Sequence, residues 1–496
     1  MQTIAIAPPR SRTLTLAWPL LIAVVLLTRL PALLHWGPID DEAVYGVVGK
    51  VMLNGGLPYL DAIERKPPLL FGVYWATFKA FGPDNWLALH LVCAAWVLAT
   101  MRGLELATRQ LFGARAGLIA ALAYGLIQPF ATAKNLAFNG ELLMNLPIAW
   151  AYAIVLGRRG QAGIGWRALA AGALIALASL LKQPAAIAAL PLGLYLLGTR
   201  RGFALALLAA LGGTAVLALC ALWLAQYGLL ADAWYWSVLD HTVPHVFWLR
   251  AVEHSALFGV AALPLLLPLL DRARQSRIWQ NNRAEQRTVL GWVAVSLIGA
   301  AAGGRFYPHY YIQVLPPLAL LAGAYYAERL RRPAEDRPGW AHPMQALRFT
   351  VIAVLVGITV QTLQLRTMNA PSPRALWVRD HAAPGDRLFV WGQATQDYLD
   401  AGLLPASRYI ATFPLTGYIF GQRLPGVSTL DRIVPGSWEK LDRDLAARPP
   451  RWVIDTQPAP NADYPVAAFP RFAAYLAAHY CPRTALPDGT IYERCK

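Results

Sequence analysis

The chain has 496 residues, with hydrophobic side chains at 56%, charged ones at 15% and a mean hydropathy of +0.39, values outside the range of soluble globular domains. Its formal net charge of +16 would suit a nucleic-acid binder, but the arginines gather in alternate short loops between apolar runs, which is a topology signal. The composition therefore excludes nucleic acid as a partner and indicates a polytopic α-helical membrane protein.

Apolar runs long enough to cross a hydrocarbon core recur along most of the chain, among them Leu14–Leu34, Phe203–Ala225 and Phe349–Leu365; about eleven spans are expected. Trp18–Leu34 is apolar for too long, and lacks the small-residue site, to be a cleavable signal peptide, so it reads as the first span. The arginine loops carry Arg10 and Arg12; Arg109 and Arg115; Arg158, Arg159 and Arg167; Arg200 and Arg201; Arg272, Arg274, Arg277, Arg283 and Arg287; and Arg329, Arg331, Arg332 and Arg337. By the positive-inside rule these face the cytoplasm, which puts the amino terminus inside. With an odd number of spans, the carboxyl-terminal segment and the loop holding Asp41 lie outside.

A membrane domain is expected over residues 1–367. Its first outer loop, residues 35–86, holds an amphipathic stretch Tyr45–Leu53, a Gly55-Gly56 break and a second apolar segment, a pattern expected to lie as helices along the interface. A second outer segment, Tyr227–His254, is dense in aromatics and includes His241 and His245; it reads as an interfacial belt. Residues 368–496 have the composition of a small extracytoplasmic α/β domain. Strands are expected at Arg387–Trp391, Arg408–Thr412, Arg451–Ile454 and Thr490–Tyr492, alternating with helices such as Trp438–Ala447 and Phe472–His479. Cys93 and Cys220 fall in apolar runs and read as buried hydrophobes; Cys481 and Cys495 sit in the outer tail, where an oxidising periplasm permits a bridge. No Asn-x-Ser/Thr acceptor occurs, which sits more easily with a bacterial membrane than with a secretory pathway.

Chemistry concentrates where spans meet water. Asp40, Asp41 and Glu42 are adjacent carboxylates just past the first span, and partial burial raises the proton affinity of such groups toward that of a useful base, although Asp before Ala-Val-Tyr is also a helix cap. Glu141, after Lys134-Asn135 and Asn139-Gly140, opens another span from an outer loop, where a charge also suits a helix amino terminus. Cations on the same side are Lys66 before Pro67-Pro68, Lys182 before Gln183-Pro184, and Arg305 in Gly303-Gly304-Arg305-Phe306-Tyr307-Pro308-His309-Tyr310-Tyr311. Each alone is explained by snorkelling at a span end, whereas together they suit a phosphate. No tight metal-ligand spacing appears outside Asp40–Glu42 and His241–His245, and neither a phosphate-cradling glycine loop nor a GxSxG motif occurs. No cofactor is required; a divalent cation is compatible with the acids.

Asp41-Glu42 with Tyr45, then Gly56-Leu57-Pro58-Tyr59, Lys66-Pro67-Pro68 and Phe81-Gly82 resemble the membrane glycosyltransferases of the GT-C type, closest to family 39, the protein O-mannosyltransferase and aminoarabinose-transferase group. Asn139-Gly140-Glu141 resembles the second acidic site of that group, and Arg305 to Tyr310 followed by Leu315-Pro316-Pro317 resembles a later loop of its bacterial members. The resemblance implies an enzyme (EC 2.4) that moves a sugar, with inversion, from a polyprenyl phosphate such as undecaprenyl phosphate to a hydroxyl of a lipid, glycan or protein. It further implies an active site on the periplasmic side of a bacterial inner membrane. It makes Asp41 the base or the orienter of the acceptor hydroxyl and Glu141 the second acid. It places Lys66 near the donor phosphate, with Lys182, Arg305, Tyr307, His309, Tyr310 and Tyr45 as phosphate or sugar contacts. The chain departs from the pattern in Asp40, an extra acid where an Asp-Glu pair is usual, so the base is Asp40 or Asp41, with Glu42 adjoining. Two other readings compete: a transporter or flippase of a lipid-linked sugar, which would place its ionisable groups nearer the midplane, and an interaction module on a membrane anchor, for which the spans are too many.

Overall fold

The computed structural model describes residues 17–158, 160–239, 246–271, 277–332, 342–368, 370–418, 428–456 and 464–495. Arg10, Arg12, Leu14, Arg159, His241, His245, Arg272, Arg274 and Arg337 lie outside them.

The first apolar run is two helices, α1 (Ala17–Thr28) and α2 (Leu30–Leu34), parted at Arg29. Arg29 is fully buried and donates to Gln128 Oε1 at 3.2 Å and to the Leu136 carbonyl, so the break supplies a cation to a polar seam inside the bundle. Next come α3 (Glu42–Leu53) and α4 (Pro68–Phe81), the two helices expected in the outer loop. They pack together, with Gly49 admitting the Tyr74 Cβ at about 3.1 Å from where its own would stand. Most of α3 is covered by protein. The bundle continues with α5 (Trp86–Phe112), α6 (Ala114–Ile127), α7 (Gly140–Val155), α8 (Ile164–Leu181), α9 (Ala189–Leu197), α10 (Gly202–Gln226) and α11 (Leu230–Ser237). Then follow α12 (Trp248–Ala261), α13 (Leu263–Leu270), α14 (Arg283–Ala301), α15 (Leu315–Arg331) and α16 (Pro343–Met368).

Among the described residues four helices, α5, α8, α10 and α16, are long and apolar enough to cross a membrane; α12 and α13, bent by 87°, make a fifth if taken as one span. About eleven spans were expected; α1, α6 and α7 are shorter apolar helices, and breaks at Arg29, Lys182 and Ala262 part α1 from α2, α8 from α9 and α12 from α13. Leucines on the outward faces of α10 and α16 remain exposed, as they must if lipid covers them.

Beyond Met368, α17 (Pro373–His381) leads into a five-stranded sheet ordered β2-β1-β3-β5-β4, with β1 (Arg387–Trp391), β2 (Leu404–Pro405), β3 (Trp452–Asp455), β4 (Tyr480–Leu486) and β5 (Gly489–Arg494). Strands β2, β1 and β3 are parallel, and β5 and β4 close the sheet as an antiparallel hairpin. Between strands lie α18 (Gln396–Asp400), α19 (Phe413–Thr416), α20 (Ser437–Ala447) and α21 (Pro470–His479). The sequence pattern finds β1, β3, β5, α20 and α21. Arg408–Thr412 is not a strand: Arg408 is pinned through its backbone N–H and guanidinium by Asp444, and the edge is made by Leu404–Pro405. Cys481 and Cys495 are disulfide-bonded.

The sheet domain docks on the outer loop through specific contacts. Ile63 donates to the Arg408 carbonyl at 2.8 Å, Arg448 pairs with Asp61 at 2.9 Å, and Arg65 stacks 4.9 Å over the Phe413 ring.

Candidate functional site

Between the outer loops and the docked sheet domain lies a cavity of about 560 Å³. Its floor comes from three connections at one end of the bundle. The first, at the start of α3, brings Asp40, Asp41 and Tyr45. The second, residues 64–66, brings Glu64, Arg65 and Lys66; the third, residues 305–310, brings Arg305, Tyr307, His309 and Tyr310. Lys134 and Arg250 join them, and residues 368–413 form the roof. The arginine-bearing turns after α5, α7, α9 and α15 alternate along the chain with the connections that supply the cavity.

Asp41 stands at the position preceding α3, yet its side chain caps nothing there; Oδ2 instead accepts from the Tyr45 hydroxyl at 3.3 Å, one turn on. The capping is done by Glu42, which accepts from the backbone N–H of Ile39 at 2.8 Å and of Phe138 at 2.6 Å and contacts His90 Nε2 at 3.1 Å. Glu42 is fully buried and does not line the cavity; its oxygens tie α3 to the loop before α7. Asp40 adopts a left-handed backbone, φ 53°, and its Oδ2 lies 2.9 Å from Lys134 Nζ. Phe306, φ 52°, is a second left-handed residue at the rim; such strain concentrates where a fold holds functional groups in place.

Behind the floor, Glu141 in the first turn of α7 pairs with Lys182 and lies 3.8 Å from His309 Nε2. Gly140 makes room for this: a Cβ there would stand about 3.1 Å from the Lys182 side chain. Lys182 sits 4.5 Å under the Tyr310 ring, and neither it nor Glu141 lines the cavity. The Tyr307 and His309 rings stack at 5.7 Å, and the Arg250 guanidinium lies 4.8 Å from the Tyr307 ring. Lys66 makes no hydrogen bond or ion pair through its ammonium among the described residues, although its charge acts on Asp41.

These neighbours divide two adjacent acids. Burial, then the charge on Asp41, pushes the Asp40 carboxyl from its usual 3.8 up to about 6, against the pull of Lys134. Burial also raises Asp41, but Lys66, His309, Lys134 and Lys182 together outweigh it and hold that carboxyl below its ordinary value. Burial lowers His309 to about 4, so its imidazole is neutral at physiological pH. The floor thus holds an ionised acid beside a lysine that makes no ion pair among the described residues, in a ring where Lys66, Lys134, Arg65, Arg250 and Arg305 outnumber Asp40, Asp41 and Glu64. Such a ring suits an incoming anion. Among the described residues no group of three or more His, Cys, Asp or Glu is arranged to hold a metal ion, and Asp40 and Glu141 already hold ammonium groups.

The structure brings Asp40, Asp41, Tyr45, Lys66, Arg305, Tyr307, His309 and Tyr310 to one cavity and sets Glu141 and Lys182 directly behind it. Sequence reasoning did not single out Lys134, Arg250 or, in the roof, Ser372 and Asp400. Lys134 carries the signal that marked Lys66, a lone cation in an outer loop beside an acid.

Residues 65–225 match the sequence profile of the dolichyl-phosphate-mannose-protein mannosyltransferase family. No curated protein matches the chain. In fold, it is similar to ArnT from Cupriavidus metallidurans bound to undecaprenyl phosphate, at 15% identity, 97% coverage of both chains and a TM-score of 0.60. The apo form of the same protein gives 14% identity, 97% and 98% coverage and a TM-score of 0.63. The archaeal oligosaccharyltransferase AglB from Archaeoglobus fulgidus, in complex with an inhibitory peptide and a dolichol-phosphate, gives 13% identity, 98% coverage of this chain, 75% of that one and a TM-score of 0.56. At these identities the likeness is one of fold: a helical GT-C membrane bundle with a small carboxyl-terminal sheet domain.

Proposed function

We propose that this chain is a polyprenyl-phosphate-dependent glycosyltransferase, moving a sugar with inversion to an acceptor hydroxyl in the cavity under the sheet domain. The observation that carries the reading is the pairing, in one cavity, of an ionised Asp41 with an excess of cations led by Lys66. The resemblance to family 39, the profile match over 65–225 and the fold support it. The site then lies on the periplasmic side of a bacterial inner membrane, and the carrier is undecaprenyl phosphate, which ArnT binds.

In this reaction the acceptor oxygen forms a bond to the anomeric carbon on the face opposite the phosphate, the bond from that carbon to the phosphate oxygen breaks, and the carrier leaves as a phosphate monoester. The leaving group gains negative charge, which Lys66 and Arg305 stabilise, with Lys134 and Arg250 at the edge. The acceptor proton passes to Asp41. Once the donor phosphate neutralises Lys66, the cation that most depresses Asp41 is shared, and the carboxylate becomes a better base when it is needed. Tyr45 orients Asp41, and Glu141 with Lys182 fixes His309 and Tyr310 from behind.

The test is mass analysis of lipids, glycans and proteins from cells lacking the gene product and complemented with wild type or Asp41→Asn. A product missing in the deletion and restored by wild type alone supports the reading. Restoration by both moves the base to Asp40 or Glu141, and substrate movement across liposomes without any glycosidic product would replace the enzyme with a transporter.

A further inference from the structure

The cavity has two chemically unlike walls. Its floor is cationic, whereas the roof, residues 368–413, presents Ser372, Gln393, Thr395, Gln396 and Asp400 together with an Arg374–Asp397 pair whose charges offset each other. Asp400 is the roof's best-defined group. Its Oδ2 accepts from the Ser372 backbone N–H at 3.2 Å and from Gln396 Nε2 at 3.3 Å, which fixes the plane of the carboxylate. Its other oxygen, Oδ1, bonds no protein group among the described residues, while the residue lines the cavity. Beside it on the same wall, Asp397 is held by Arg374 at 2.7 Å and by the Ser372 hydroxyl at 2.8 Å, and Arg374 reaches on to Asp488 at 3.5 Å, so the platform is braced through to the β4–β5 turn. A phosphate has no use for a carboxylate. A hydroxyl does, since a fixed, partly desolvated carboxylate oxygen is a strong acceptor for O–H.

We infer that the roof of the cavity is a sugar-reading surface, in which Asp400 Oδ1, flanked by Gln396 and Gln393, accepts hydrogen bonds from neighbouring hydroxyls of a sugar ring. This rests on the glycosyltransferase reading and names Asp400 as a specificity-determining residue of it. The ring belongs either to the sugar being transferred or to a glycan acceptor.

Asp400→Asn separates these cases from a structural role. The Ser372 N–H needs an acceptor, so the amide oxygen takes the Oδ2 place and the amide NH₂ replaces Oδ1: an acceptor facing the cavity becomes a donor at unchanged volume. An unaltered melting temperature of the purified variant would confirm that the roof stands. Binding is then measured for bare undecaprenyl phosphate and for undecaprenyl-phospho-glucose, -mannose and -galactose, and product formation is read in complemented cells.

The expected result is bare-carrier binding equal to wild type, with at least about tenfold loss in one other arm. Loss of the margin that the sugar-bearing carriers hold over the bare one assigns the ring to the donor. Loss of product with that margin intact, where the product is a sugar joined to a sugar, assigns it to a glycan acceptor. Wild-type behaviour in both arms overturns the inference, as does weakened binding of the bare carrier, or a product joined to a peptide or lipid hydroxyl with the donor arm unchanged. A wild-type protein that binds no bare carrier instead sinks the polyprenyl-phosphate reading, and the product arm still decides the roof.

Discussion

Asp40 and Asp41 share a peptide bond and differ in proton affinity because one faces Lys134 alone and the other faces a ring of cations. Asp41→Asn is expected to cut transfer by about a hundredfold or more while leaving undecaprenyl phosphate binding in place, since the lost step is proton acceptance. Lys66→Met should weaken carrier binding and slow turnover by about a hundredfold as well; both are read in one assay with a detergent-solubilised donor. Asp40 has a consequence for stability. Its proton is held more tightly in the folded chain than in the unfolded one, so folding disfavours the ionised form: the cost is absent below the ordinary value of 3.8 and complete above about 6. Asp40→Asn should therefore raise the melting temperature more at about pH 8 than at about pH 5, and an equal gain at both would show that Lys134 governs the site instead. Residues such as Asp41, Lys66 and His309 were legible in the sequence because each stands in a short motif at a span end. Lys134 stood in an equivalent place but without a motif around it. Ser372 and Asp400 of the roof were illegible for a physical reason: they are ordinary polar residues of the carboxyl-terminal domain until docking turns them over a cavity whose floor starts at Asp40.

At the scale of elements, small residues and buried ion pairs set the geometry. Helices α8 and α10 approach so closely at Gly172 and Gly212 that a Cβ on the first would run into the Ala209 carbonyl and one on the second into that of Leu169. In a membrane such contacts replace the hydrophobic effect as the source of helix association. Gly172→Leu should lower the yield of monodisperse protein in size-exclusion chromatography, through overpacking of about 2 kcal/mol or more. The sheet domain has a corresponding weak point. Burial raises Asp444, but its hydrogen bonds with Arg408 outweigh that and hold it low, so the pair stabilises the fold above the ordinary carboxylate range and loses that effect as pH falls through the depressed value. Arg408→Leu leaves a buried carboxylate unpaired and should cost about 3 kcal/mol, seen as a lower thermal midpoint at neutral pH. Periodicity located α20, α21 and the hydrophobic strands. It overlooked β4, whose Cys-Pro-Arg-Thr sequence has little strand character and is held by pairing with β5 and by the disulfide. Arg29, which interrupts an apolar run, is a buried cation held by Gln128 and the Leu136 carbonyl.

For the whole molecule, the Cys481–Cys495 bridge closes a loop of 14 residues at the far edge of the sheet, worth about 3 kcal/mol in the chain-entropy account. Reduction should lower the unfolding temperature of the sheet domain while the helical bundle, followed by far-ultraviolet circular dichroism, persists to higher temperature. The cavity itself is built from both ends of the gene: its floor begins at Asp40 and its roof ends at Phe413. A ribosome that has inserted every apolar helix through Met368 has made the floor only. Synthesis therefore acts as a timer, and a nascent chain exposes its floor cations, without a second wall to select what they meet, until the sheet domain has folded down on Asp61 and Ile63.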